Sequence, residues 1–345
     1  MQSCDTLAAN APQYLITQVQ RIAGRSERRH KLGKIEATRH KWWEIFGTRP
    51  RHSIGTDRME GGKAVVSRFS GAFLRAVLVI GVVVTPSVLL SDVSVDARQM
   101  AALVALFAGM LTFVEYNTDA PSLIEFRDAP PFNRVRLGML FATVFCLSVV
   151  EGGRQEATSL SELVQAIGHL VGQSMDFPYS PVRLAKLMLA ESATPAQVQA
   201  VRDAAGIAYL TSLISLAVFV VLLKSGSWPL RDRVFNVWVN LPTFDPTAGD
   251  LVERLERDGR INIALGFLIP FIIPFVVSLS SSGINPDSMT ASQTLIWTMT
   301  AWAFLPASLF MRGIALGRIA EMVRDVRRAQ GARDRSATSR ASRVF

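Results

Sequence analysis

The residues best suited to bind a metal or attack a substrate are few in this chain, and their spacing serves neither purpose. Of its four histidines, His30, His40 and His52 lie ten and twelve positions apart, outside the usual ligand spacings. His169 stands alone on a helical stretch, where a packing or surface role is expected. The two cysteines, Cys4 and Cys146, have no ligating neighbour at useful spacing. Cys146 sits inside an apolar run, so a disulfide to Cys4 is excluded on reach. No HExxH, GxSxG or P-loop pattern occurs. Asp92, Glu115 and Glu151 border apolar runs, where carboxylates are cheap to solvate, so boundary roles are expected of them. The expectation is no catalytic residue, no cofactor and no metal.

Two polar or backbone features remain. The segment Glu115 to Arg136 packs four acids, three arginines and three prolines among large apolar residues. Ala129-Pro130-Pro131 should form a rigid extended turn, because proline restricts its predecessor and blocks a helix. Phe126, Arg127, Asp128, Pro130, Pro131, Phe132 and Arg134 are therefore the expected partner-docking set; the bland alternative tucks the aromatics among lipid headgroups. Pro270 and Pro274 lie four residues apart on one helix face, and Pro306 interrupts a second apolar run. Each frees a backbone carbonyl, so the three mark either a kinked pore or kinks that only shape packing.

The elements that must position these residues are membrane spans. Hydrophobic residues make up 49% of the chain, too many for a soluble fold with apolar runs this long. Six runs approach the roughly 20 residues needed to cross about 30 Å of hydrocarbon: about 69–90, 100–114, 137–150, 206–223, 261–279 and 294–311. The third is the shortest. Loop charge supports keeping it, because with six spans 32 of the 37 Lys and Arg residues fall on one side, as the retention of cations in the cytoplasm requires. Both ends then lie in the cytoplasm, and the composition suits a bacterial inner membrane. No cleavable signal sequence is expected, leaving the first span as its own insertion signal.

The organisation that follows is an all-α, six-transmembrane-helix bundle over residues 69–316. A basic arm, 1–68, precedes it, and a basic tail, 317–345, follows, with its end beyond Gly331 expected to be disordered. In the external insert, 151–204, a Ser159/Glu162 capping box and the Ser180-Pro181 and Thr194-Pro195 pairs predict three short helices. Inside, Leu251, Val252 and Leu255 predict a short amphipathic helix, capped by Asp245 or Thr247, lying on the membrane or on another subunit. Basic clusters beside Trp42 and Trp43 suit anionic headgroups. The partners expected are the anionic bilayer and a membrane-protein partner or second copy; nucleic acid is disfavoured. Spans without central charges, flanked by Pro/aromatic loops, point to action by association, as an assembly factor, accessory subunit or scaffold. The alternative is a passive channel or uniporter through spans five and six.

Overall fold

A computed structural model describes residues 58–118, 122–127, 129, 131–189, 192–225, 240–241, 250–280 and 291–341. Among them the chain is all-helical, with α1 (Arg58–Leu89), α2 (Val95–Asn117), α3 (Phe132–Gly152), α4 (Ser159–Ser174), α5 (Pro181–Ala185), a 3₁₀ turn (Lys186–Met188), α6 (Pro195–Lys224), α7 (Leu251–Ser280) and α8 (Ser292–Ala341). Six of these helices are long and apolar enough to cross a membrane: α1 from Arg68, α2, α3, α6, α7 and α8 as far as Asp325. The six-span bundle read from the apolar runs is therefore the observed architecture. The third span, the shortest apolar run at 137–150, is 21 residues long, because the helix continues outward through Arg136 and Glu151, the charges that bound the run.

Helices among lipid gain little from burying apolar surface, so close contact depends on small residues that let backbones meet. Glycines stand at the main crossings. A Cβ on Gly313 of α8 would lie 2.7 Å from Gly259 O of α7, and one on Gly206 of α6 would lie 2.7 Å from Gly172 N of α4. The core centres on α8, where Trp302, Ile296 and Met299 are fully enclosed against Val144 and Leu147 of α3 and Ala205 and Ala208 of α6.

Several local expectations change. The capping box of α4 is Thr158 with Ser161, one residue earlier than Ser159/Glu162. Ser180 and Thr194 cap their helices as predicted, but the helix opening at Pro195 runs unbroken into the fourth span. The insert therefore holds two separate helices rather than three. The second is sunk into the bundle: Val182, Ala185 and the following Met188, three residues apart, are buried. Likewise, the amphipathic stretch from Leu251 is the first part of α7, and its apolar residues pack inside the protein rather than on a membrane surface. Asp250 supplies the cap, accepting from Val252 N at 3.1 Å; Asp245 and Thr247 lie outside the described residues. The C-terminal helix passes Gly331 and reaches Ala341, beyond the predicted disorder boundary.

Candidate functional site

A cleft of about 980 Å³ opens where α1, α2, α3, α7 and α8 meet the loop before α3. Its walls are apolar, with Leu74, Leu78, Leu137, Ile269, Leu305 and Leu309, but Arg75, Arg134, Arg136 and Arg312 also face it, with Glu125 the one carboxylate among its lining residues. Arg75 donates to Gly71 O at 2.7 Å and lies 4.6 Å above the Tyr116 ring. Arg136 donates to Ser308 Oγ at 3.3 Å, between the rings of Phe132 at 5.3 Å and Phe304 at 5.6 Å. Neither has a carboxylate within ion-pair distance among the described residues. Arg312 grips Glu125 with two bonds, 2.6 Å and 2.8 Å, a bidentate geometry specific to guanidinium and carboxylate.

The loop that forms one wall is held from within. Glu115 accepts from the backbone N–H groups of Ser122, Leu123 and Ile124 at 3.0, 3.0 and 3.4 Å, and from the Ser122 hydroxyl at 2.6 Å. It is 5% exposed, covered by the loop that it organises. The expectation of a cheaply solvated boundary carboxylate fails here, because the chain folds back over the end of α2. Phe126 adopts a left-handed φ of 54°, held by its N–H to Asn240 O at 2.7 Å.

This geometry corrects the docking expectation at Phe126 and Phe132. Phe126 and Phe132 are fully buried, their rings tilted against each other with centroids 4.3 Å apart and backed by Phe219; burial of each side chain is worth about 2 kcal/mol, so they anchor the loop rather than project from it. Arg127 donates to Glu115 O and Thr118 O, closing the end of α2. Pro131 is the N-cap of α3. Asp128 and Pro130 lie outside the described residues. Of the described members of the set, only Arg134 is exposed and faces the cleft.

No family model, curated protein or solved structure matches this chain. A guanidinium stays protonated and offers only donors, so the cleft arginines can hold negative charge but can neither accept a proton nor attack a substrate.

The predicted kink residues Pro270, Pro274 and Pro306 are all buried. Pro274 has no N–H to give the carbonyl four residues back, and Trp302 Nε1 donates to that Pro270 oxygen at 3.0 Å. Two of the three prolines, Pro270 and Pro306, border a pocket of about 230 Å³ walled by Tyr209, Trp302, Phe267 and Phe271. On the insert, His169 Nδ1 lies 3.2 Å from Asp203 and within reach of Gln199 and Arg202, while Nε2 meets Gln173 at 2.9 Å, so it belongs to the crossing of α4 and α6. Among the described residues no three His, Cys, Asp or Glu side chains converge to hold a metal ion.

Sequence reasoning missed Arg75, Arg136 and Arg312 as a group. The available signal was that each lies within a turn or two of a span end on the same predicted side. Nothing in the spacing says that three separate helices bring them to one cleft.

Proposed function

We propose that this is a membrane protein that works by association, as an assembly factor, accessory subunit or scaffold, and that its cleft receives the associating group from the plane of the bilayer. The single observation carrying this is a large apolar cleft whose arginines exceed its carboxylates, in a membrane-spanning bundle. Such a surface is suited to binding, because its arginines donate hydrogen bonds but neither accept a proton nor attack a substrate. The distribution of Lys and Arg supports an orientation with both ends and the arginine-lined side of the bundle in the cytoplasm, in a bacterial inner membrane.

The test is to fill the cleft. Leu78→Trp with Leu305→Trp should abolish retention of whatever co-purifies from native membrane in mild detergent, while elution and helicity stay unchanged. Identical bound material in parent and filled protein would remove the cleft from the account. The pocket beside Pro270 and Pro306 supports a second reading, a passive channel or uniporter. Reconstituted vesicles showing a solute or ion flux that Pro306→Ala alters would favour it over association.

A further inference from the structure

Each guanidinium carries five N–H donors, yet among the described residues Arg75 and Arg136 each give one to the protein. Aromatic rings lie against both guanidinium groups, so both charges are held at the cleft before any ligand arrives. Glu125 is already engaged by Arg312, which leaves the cleft with excess positive charge. Its apolar side is equally specific: Leu74, Leu78 and Leu305 are 60%, 48% and 48% exposed on helices that face lipid, giving an acyl chain a continuous surface away from the charges. A free anion would have no use for that wall, and a purely apolar guest none for the arginines.

We infer that the cleft seats the phosphate of an anionic phospholipid between Arg75 and Arg136, with an acyl chain along Leu74, Leu78 and Leu305. This rests on the association role proposed for the cleft and names its occupant. Guanidinium suits phosphate because paired N–H groups match paired oxygens. A zwitterionic headgroup would bring a cation toward the same arginines, so the site discriminates by charge. The leaflet next to the arginine-lined side, on the orientation proposed above, is the one rich in anionic lipid.

The full chain in detergent is titrated with dioleoyl phosphatidylglycerol, dioleoyl phosphatidylcholine or inorganic phosphate, with retained lipid read by native mass spectrometry and stability by thermal melting. Phosphatidylglycerol should bind about tenfold tighter than phosphatidylcholine, and Arg75→Gln or Arg136→Gln should each weaken it about tenfold. Arg183→Gln on the insert should leave binding unchanged. Equal binding of the two lipids, or stabilisation by inorganic phosphate matching that by lipid, would overturn the inference. Should the arginine variants lose their fold, Leu78→Cys provides an independent measurement: phosphatidylglycerol should slow its alkylation and phosphatidylcholine should not. Unslowed alkylation at saturating anionic lipid would place the lipid elsewhere and overturn the assignment. If the Trp-filled cleft releases another bound component while no lipid preference exists, the lipid inference fails and the association role stands. If neither filling nor arginine loss changes anything bound, both fail.

Discussion

Glu115 and Glu151 occupy matching places, each in the last turn of a spanning helix, where the helix dipole disfavours a negative charge. Both are buried, at 5% and 3% exposure. Their surroundings differ. Three backbone N–H groups and the Ser122 hydroxyl surround Glu115. Glu151 has Arg154 Nη2 at 3.3 Å from Oε1 and Ser292 and Asp92 close to its carboxyl, while Oε2 has no hydrogen-bond partner among the described residues. One carboxylate organises the loop that shapes the cleft; the other is enclosed without being fully used. Burial of a charge therefore says little about its structural value until its partners are counted.

The contrast breaks or sharpens under substitution. Glu115→Ala leaves the Ser122 to Ile124 donors without their acceptor and should cost about 2 to 3 kcal/mol, read as a lowered melting midpoint and faster proteolysis of the segment before α3. Trp302→Phe, which removes the donor to the Pro270 carbonyl, should cost about 1 to 2 kcal/mol and extends the comparison to a backbone group. Glu151→Gln, which keeps the side-chain shape and removes a buried charge that lacks a full set of partners, should cost much less than Glu115→Ala; a loss as large as that of Glu115→Ala would erase the contrast.

The smallest effect belongs to Asp250, outside the spans and half exposed. The hydrogen bond from Arg327 Nη1, at 2.9 Å, and that from Val252 N hold its carboxyl below the ordinary 3.8. A depressed folded value means that its contribution is complete above the unfolded value and disappears as the pH falls through the lower folded one. Asp250→Asn should flatten that acid limb slightly, and salt should screen the difference at neutral pH. A melting curve whose acid limb is the same for parent and variant would show that the pair adds nothing.

The spans were legible because hydropathy and helix length are properties of contiguous residues. Ser180 and Thr194 were legible as caps for the same reason, since a cap and its helix are neighbours. The burial of Phe126 and Phe132 was not legible, because the two look alike in sequence whether they project or pack inward, and only the fold of 122–127 over the end of α2 chose packing. The insert failed in part because nothing local indicates whether the helix starting at Pro195 stops before the membrane or enters it. Helix centrality was equally hidden: the apolar window of α2 is 11% buried and that of α8 is 56% buried, although both are recognisable as spans.

By itself, the order of residues determined how often the chain can cross a bilayer and which segments carry the cations, because both depend on the transfer free energy of short stretches between water and hydrocarbon. Tertiary structure alone decided that Arg75, Arg136 and Arg312 share one cleft, that Trp302 answers Pro270, and that Phe126 turns inward. Those are meetings between distant segments, set by where glycines allow backbones to touch and by which buried polar groups find partners across helices.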